Sequence, residues 1–265
     1  MSPKFLLKKK AAAVFIMLLS SSLCVSLTSP SLFAGTFDDF KNKIVNEAQS
    51  VAESRLNALA SDIGAAIAQT SFHQASTIGG TLPGVDIGIH TGYKKVSSKD
   101  EILKAANVES LMLPVAQIEI GIPFIKLDLI GRYTSYDKST LAGGGLRYSL
   151  FKTLPFELTA SGLYNILSVE AGDNKFKTTV TTLSLGINFN VPIISPYAGV
   201  SFDSTEITPD ETITTFKGKA TATRIDGGVN LSLLPFTYFN AGISYIISGS
   251  DDSSLGARAG LGIKF

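Results

Sequence analysis

Two periods of apolar residues divide the chain into a short N-terminal part and a long C-terminal part. From about residue 82 onward, apolar and polar residues alternate with a period of two, as they do in strands that have one apolar face. The final strand shows this best, since Leu255, Leu261 and Ile263 alternate with glycine, arginine and lysine. Before residue 70 the apolar residues recur at helical spacing instead. The pattern therefore predicts an all-β body that follows an N-terminal helix.

A short signal that contains proline recurs four times in the alternating region. It reads Ile122-Pro123-Phe124, Leu154-Pro155-Phe156, Val191-Pro192-Ile193 and Leu234-Pro235-Phe236. Proline has no backbone N–H to donate to a strand ladder, so these signals indicate turns. Successive prolines are 32, 37 and 43 residues apart, and each interval has room for two strands, a turn and a loop.

Ten strands fit around the four turns. Their predicted ranges are 83–96, 111–122, 124–136, 141–151, 156–168, 178–190, 196–206, 219–233, 236–248 and 254–265. The number can lie between eight and twelve, because 97–109 is either a helical loop or a region with hidden strand structure. The connections opposite the proline turns, such as 169–177 and 207–218, are longer and more polar. Short turns at one end and longer loops at the other are typical of outer-membrane barrels, whose termini lie on the short-turn, periplasmic side.

The apolar face of the strands favours contact with lipid, because it repeats in every strand and carries almost no charge. Aromatic residues mark both ends of the strands: Phe124, Phe156, Phe189, Phe236 and Phe265 near the short turns, and Tyr93, Tyr133, Tyr164 and Tyr245 nearer the loops. Such girdles are expected where a barrel meets the two membrane interfaces. The alternative is a soluble barrel or sandwich, which would bury the apolar face and expose the charged one.

The alternating region, residues 82–265, resembles outer-membrane β-barrel proteins as a class. The resemblance rests on the alternating last strand and on its terminal Phe265, which is similar to the signal by which the barrel-assembly machinery recognises its clients. It implies an antiparallel transmembrane β-barrel of about ten strands in the outer membrane. It also implies two partners, outer-membrane lipid and the assembly machinery. The resemblance is to the class and not to one characterised family.

The first 34 residues have the layout of a secretory signal peptide. Four lysines precede an apolar stretch from residue 11 to about 27, and small residues lead to a predicted cleavage site after Ala34. The alternative is an uncleaved transmembrane anchor, but the apolar stretch is short and serines at 20–22 interrupt it. The predicted domains are a signal peptide at 1–34, an amphipathic helix with its linker at 35–81, and a transmembrane barrel at 82–265.

The helix is predicted to cover 37–69, where Phe40, Leu59 and Ile63 are among the apolar residues at helical spacing. Two positions are open to it. The preferred interpretation is a periplasmic segment that lies on the rim of the barrel or packs against another copy. The other interpretation is a plug inside the lumen.

Charge and cysteine content limit the partners and the source of stability. Removal of the signal peptide takes away four lysines and no acid, which changes the formal net charge from +1 to −3. This balance argues against a nucleic acid as a partner. Cys24 is the only cysteine and lies in the signal, so the exported chain has no disulfide. A barrel closed on itself in lipid is stable without one.

The face opposite the apolar one is predicted to line the lumen. Its titratable residues are Asp86, His90, Lys94, Glu119, Lys126, Asp128, Arg132, Arg147, Glu157, Asp203, Arg224, Asp226, Arg258 and Lys264. One interpretation is a closed, narrow interior with satisfied ion pairs, since an unpaired buried charge is costly. The other is a pore whose charges set its selectivity. Many inward glycines, Gly186 and Gly199 among them, leave room for water, a ligand or the N-terminal helix.

Motifs for catalysis and cofactor binding are weak. His90 is predicted to point inward near Asp86, and a lone inward histidine is more often structural than catalytic. No hydrolase setting, phosphate loop, metal-ligand cluster or nucleotide fingerprint is present in the sequence. The strand number is similar to that of the omptin proteases, but the loops here are too short to hold such a site. The sequence therefore predicts no catalytic residue, no cofactor and no metal.

Three functions are compatible with these features. The preferred interpretation is a narrow channel or a transporter of a small solute in the outer membrane, which the small inward side chains favour. The second is a structural or surface-interaction barrel with a closed, ion-paired lumen. The third is a lipid-modifying enzyme that uses His90. The sequence leaves the solute and the oligomeric state open.

Overall fold

The alternating sequences form strands that close into a barrel. The computed structural model describes residues 49–136, 138–171, 174–210, 215–248 and 253–265. The predicted signal peptide at 1–34, its alternative as an anchor, and the first part of the predicted helix lie outside the described residues. The prediction of an antiparallel β-barrel with an N-terminal helix is confirmed.

Ten strands are present in the described residues. They are β1 (Gly84–Lys95), β2 (Ser110–Ile122), β3 (Leu127–Tyr136), β4 (Ser139–Thr153), β5 (Phe156–Ala171), β6 (Asn174–Phe189), β7 (Ile194–Pro209), β8 (Gly218–Leu234), β9 (Thr237–Ser248) and β10 (Ser254–Lys264). Each pairs with its neighbour in the sequence, and β1 pairs with β10 to close the barrel. In that closing pair Ile87 lies opposite Ile263, so the apolar faces of the first and last strands are continuous.

One predicted loop is part of two strands instead. Residues 169–177 were expected to form a polar connection, but β5 and β6 continue through them as a hairpin in which Val169 pairs with Phe176. Both of these side chains are buried, and they stabilise the extension. The residues between them, Glu-Ala-Gly-Asp-Asn-Lys at 170–175, are mostly of types that are rare in strands, which is why the pattern predicted a loop. Polarity alone therefore misplaced the end of this hairpin.

Two helices accompany the strands in the described residues. α1 (Gln49–Gln69) precedes the barrel, and α2 (Glu101–Ala105) lies in the loop between β1 and β2. Of the two predictions for 97–109, the helical loop is the one observed. Within the described residues, neither helix has the length and apolar character needed to cross a membrane.

The outer surface of the barrel is apolar over most of its height. Large hydrophobic side chains that are exposed on it include Ile87, Ile118, Ile120, Leu129, Leu146, Leu158, Leu183, Leu185, Ile187, Val200, Phe202, Ile225, Phe239 and Ile243. At the turn end, aromatic rings pair across neighbouring strands. Phe156 and Phe189 lie 5.0 Å apart edge to face, and Phe236 and Phe265 lie 5.7 Å apart. So large an exposed apolar surface is suited to lipid and not to water.

Candidate functional site: an occupied lumen

The lumen of the barrel is occupied by the segment that precedes β1. The C-terminal half of α1 and the following residues 70–77 are buried inside, and none of residues 70–77 is more than 7% exposed. Of the two positions considered for the helix, the structure shows the lumen and not the periplasmic rim. An amphipathic pattern predicts that one helix face is buried but does not say which surface covers it.

A buried ion pair fixes α1 to the barrel wall. The Lys94 ammonium group at the end of β1 contacts the Asp62 carboxylate of the helix, and both side chains are buried. The second oxygen of Asp62 accepts a hydrogen bond from the backbone N–H of Ser97 at 2.8 Å. Nearby, Arg55 forms a salt bridge of 2.8 Å with Glu101 of α2. Charged groups from the helix, the wall and the first loop are thus connected.

An aromatic side chain of the segment fits a gap in the wall. The Phe72 ring lies against Gly186 and Gly199, which pair across β6 and β7, and a Cβ atom at either position would overlap it. The ring also meets Tyr197 edge to face at 5.8 Å, and the Arg258 guanidinium lies 6.0 Å from its centroid. The missing side chains of the two glycines therefore make room for this residue and not for a water-filled pore.

Three wall carboxylates bind the extended part of the segment. Gln74 donates a hydrogen bond to Glu119 at 2.7 Å. Thr77 donates its backbone N–H and its hydroxyl to one oxygen of Glu157, at 3.0 and 2.6 Å. The next N–H, that of residue 78, lies 3.2 Å from both oxygens of Asp128. The carboxylates stand on three different strands, so together they hold one side of the segment along its length.

Arg147 is the cation that pairs with the carboxylates at the centre of this wall. Its guanidinium forms a two-point contact with Glu119 at 2.7 and 3.0 Å and lies 3.5 Å from Asp128. It also donates to the backbone carbonyl of Ser76 at 3.3 Å, so one cation joins the wall to the segment. All of these groups are buried, and their pairing removes the cost of an isolated charge.

A second ionic network lies on the opposite side of the lumen. Arg224 contacts Asp203 at 3.0 Å and Asp226 at 2.7 Å, and Arg258 contacts the same oxygen of Asp226 at 2.7 Å. Hydroxyl groups complete it, since Thr182 donates to Asp203 and Ser201 donates to Asp226. Two arginines and two aspartates leave no net charge in this cluster. This arrangement is the ion-paired interior that the sequence offered as one of two interpretations.

A third basic side chain is held by hydroxyl and amide groups. Arg132 donates to Asn165 at 2.8 Å and to the Ser71 hydroxyl at 3.2 Å, and it also contacts the Thr70 hydroxyl. Ser71 and Thr70 belong to the occupying segment. The wall therefore binds the start of the extended region as well as its end.

Thirteen of the predicted lumen residues face the interior. Twelve are buried, namely Asp86, His90, Lys94, Glu119, Asp128, Arg132, Arg147, Glu157, Asp203, Arg224, Asp226 and Arg258, and Lys264 is half-buried. Lys126 is a correction: it lies exposed in the turn between β2 and β3, with a φ of 55°. The turn is longer than predicted, because β3 begins at Leu127 and not at 124.

Several functional contacts were missed by sequence reasoning. Gln117, Tyr197, Tyr238 and Asn240 all face the lumen, and the period of two that placed Glu119 there would also have placed them. Asp62 and the residues that follow α1, which contact the wall from the segment, carried no such signal in the sequence. Their role depends on the lumen position of the segment, which the pattern left open.

A histidine and two carboxylates come together near the middle of the lumen. Ligand atoms of His73, Asp86 and Glu119 lie within 4.8 Å of one another. Both oxygens of Glu119, however, already accept hydrogen bonds from Arg147 and glutamine side chains. A cation would have to displace the guanidinium, so the group does not fit a metal site. His73 instead lies beside His90, with ring centroids 4.0 Å apart and ring planes inclined by 35°.

Outside the strands, Asp100 has an unusual environment. Its carboxylate caps α2 by accepting hydrogen bonds from the N–H groups of Ile102 at 3.1 Å and Leu103 at 2.9 Å. The side chain is fully buried, and burial raises the pKa of Asp100 to about 7 even though the two N–H groups favour the ionised form. The nearby Asp62 carboxylate acts in the same direction as burial.

The contribution of Asp100 to the free energy of unfolding is expected to fall as the pH rises from 3.8 to about 7. In this window the folded protein holds a proton on Asp100 more tightly than the unfolded chain does, so deprotonation favours unfolding. Asp100→Asn keeps a capping side chain but cannot titrate, and its stability should vary less over the same range. Urea unfolding in detergent at several pH values measures both proteins. The same pH dependence in both would contradict the prediction.

Comparison with known proteins gives similarity in architecture only. No protein-family model and no curated protein matches the chain. Similar solved structures include the N-terminal β-barrel domain of Pseudomonas aeruginosa OprF, at 15% identity and a TM-score of 0.36, over 72% of this chain and 100% of that chain. The β-domain of the Bordetella autotransporter BrkA has 11% identity and a TM-score of 0.41, over 69% of this chain and 100% of that chain. The translocator domain of the autotransporter NalP from Neisseria meningitidis has 11% identity and a TM-score of 0.34, over 82% of this chain and 100% of that chain.

Proposed function

We propose that this protein is an outer-membrane β-barrel that its own N-terminal segment closes, and that it acts as a structural or surface-interaction barrel. The observation that carries the proposal is the occupied lumen. The charges of its wall are paired within the networks of Arg147 and Arg224, and Asp62 of the segment is paired with Lys94 of the wall. A pore needs a continuous water path, whereas residues 70–77 are almost completely buried.

The outer-membrane location is supported by the two surfaces of the barrel. Apolar side chains cover the outside, and the charged residues of the strands face the inside or lie beyond the apolar zone. Connections at the turn end have two to four residues. At the other end, three connections have 14, eight and five residues, and the hairpins β3–β4 and β5–β6 have two each. Strands β5–β8 have 16 or 17 residues, more than the roughly 10 that cross a bilayer. They therefore project from the membrane on the loop side.

An open channel or a solute transporter receives less support from this geometry. The inward glycines suggested free space, but Phe72 fills the space beside Gly186 and Gly199. A transporter would require the segment to move, and such movement would break the contacts with Glu119, Asp128 and Glu157. A closed barrel needs no such rearrangement.

A lipid-modifying activity is also disfavoured. His90 is buried in the lumen, where the Tyr238 hydroxyl oxygen lies 3.3 Å from its Nε2 atom and the tilted His73 ring lies beside it. The histidine is therefore separated from the lipid by the barrel wall and from solvent by the segment. We assign it a role in packing the segment against β1 and β9.

Conductance across a planar bilayer tests the closed barrel. Folded protein that retains the whole segment is expected to be electrically silent. A variant whose barrel starts at residue 78, without α1 and the extended residues, is expected to show stable conductance steps, because water replaces the segment. Heat-modifiable migration and β-rich circular dichroism serve as controls for folding. Steps from the complete folded protein would overturn the closed barrel, and silence from the folded shortened variant would show that the segment is not what closes it.

A further inference from the structure

The N-terminal part of α1 lies at the loop end of the barrel. The carbonyl group of Leu56 packs against Gly218, the first residue of β8 on the loop side. The Asn57 side chain accepts a hydrogen bond from the backbone N–H of Lys219 at 2.7 Å. The contact between Asp62 and Lys94 lies at the loop end of β1 as well. The helix therefore enters the lumen through the mouth that the loops surround.

The same segment leaves through the opposite mouth. Thr77 binds Glu157, the second residue of β5 on the turn side. The carbonyl oxygen of Gly80 accepts a hydrogen bond from the N–H of Phe124 at 3.0 Å, in the turn between β2 and β3. The chain then reverses into β1, which begins at this end. From α1 to β1 the polypeptide passes through the barrel from the loop mouth to the turn mouth.

Burial along α1 follows this path. Ser50, Val51 and Ser54 are exposed, whereas every residue from Asp62 to Gln69 is buried. An amphipathic helix on a surface would keep one exposed stripe over its whole length. The change from partial to complete burial along the axis instead describes a helix that protrudes from a tube at one end.

We infer that the barrel has a further function: it carries its N-terminal chain across the membrane and presents the start of α1 on the cell surface. The inference rests on the proposed outer-membrane orientation, in which the short turns lie in the periplasm and the longer loops lie outside. The segment from α1 to residue 77 fills the lumen, so the start of α1 is held at the loop mouth. The barrel thus holds the first turns of α1 outside the membrane.

Single cysteine variants test which side of the membrane the helix start occupies. The only natural cysteine, Cys24, lies within the predicted signal peptide, so the unchanged protein serves as the thiol-free background. Ser50→Cys places a thiol at the helix start, beside a cavity of about 620 Å³ that gives a reagent access. Thr215→Cys marks the loop end, and Thr153→Cys marks the turn end of β4. Both threonines are exposed.

Cells that carry each full-length variant in the outer membrane are treated with a membrane-impermeant maleimide, before and after the outer membrane is opened. The Ser50→Cys variant is expected to react on intact cells to the same extent as Thr215→Cys. Thr153→Cys is expected to react only after opening. Heat-modifiable migration shows that each variant is folded, and labelling in denaturant shows that its thiol is present.

The controls separate this inference from the proposed function. If Thr215→Cys reacts on intact cells and Ser50→Cys reacts only after opening, the surface presentation is wrong and the outer-membrane barrel stands. If Thr215→Cys itself reacts only after opening, the proposed orientation of the barrel is wrong, and the inference that rests on it is overturned too. Equal reaction of the Ser50 and Thr215 variants on intact cells, without reaction of Thr153→Cys, supports both.

Discussion

Replacing Arg147 with methionine is expected to lower the free energy of unfolding by about 3–5 kcal/mol. Methionine retains most of the volume of the side chain but removes the cation that faces Glu119 and Asp128. The two carboxylates would then be buried without their positive partner. Equilibrium unfolding by urea in lipid vesicles measures the change.

Two further variants test the origin of this loss. The double variant Arg147→Met with Glu119→Gln should lose less stability than the sum of the two single variants, since it removes both charges of the pair. Lys175→Met is the matched control, because its salt bridge with Glu170 is exposed and contributes little. Additive effects at Arg147 and Glu119 would show that the two-point contact is not what stabilises the lumen.

Replacing Phe72 with alanine is expected to cost about 3–5 kcal/mol, the usual range for removing a buried aromatic ring. The ring fills the gap above Gly186 and Gly199, so its loss leaves a cavity between the segment and the wall. The same urea titration measures the loss, and conductance of the variant shows whether the cavity extends into a water path.

A substitution that fills the gap should compensate in part for one that removes the Phe72 ring. Gly186→Leu alone is expected to be destabilising, because its Cβ atom would overlap the Phe72 ring, whereas a Cβ atom at Gly199 would also meet the Leu185 backbone carbonyl. Combined with Phe72→Ala, Gly186→Leu should restore part of the stability by filling the same space. Gly227→Leu provides the control, since nothing lies within 4 Å of a Cβ atom there. A double variant as unstable as the sum of the singles would show that ring and glycines do not form one packing unit.

The barrel itself was largely predictable because its signals are local. Turns follow from prolines at 123, 155, 192 and 235, and strand faces follow from the period of two. Errors are confined to strand ends, such as the extended hairpin of β5 and β6 and the turn that contains Lys126. At these positions cross-strand pairing decides the boundary, and the residue types alone do not report it.

The candidate site was predictable only on the wall side. Inward residues such as Glu119 and Arg224 follow from alternation, whereas the identity of their partners does not. Arg224 binds Asp203 and Asp226 of the wall, but Glu119 also binds Gln74 of the segment, 45 residues earlier in the sequence. Contacts over such separations depend on the path of the chain in three dimensions, and the periodicity of the sequence does not reveal them.

By itself, the sequence determined that strands alternate between an apolar and a polar face, that the apolar face suits lipid, and that the polar face carries balanced charge. Each of these properties belongs to a stretch of about ten residues. Only the tertiary structure decided what the polar face surrounds and in which direction the segment crosses the barrel. The physical reason is that an amphipathic helix and an extended polar stretch satisfy their hydrogen bonds equally well at a rim or in a lumen. The fit of Phe72 to two glycines and of Thr77 to Glu157 exists only after the barrel has closed around them.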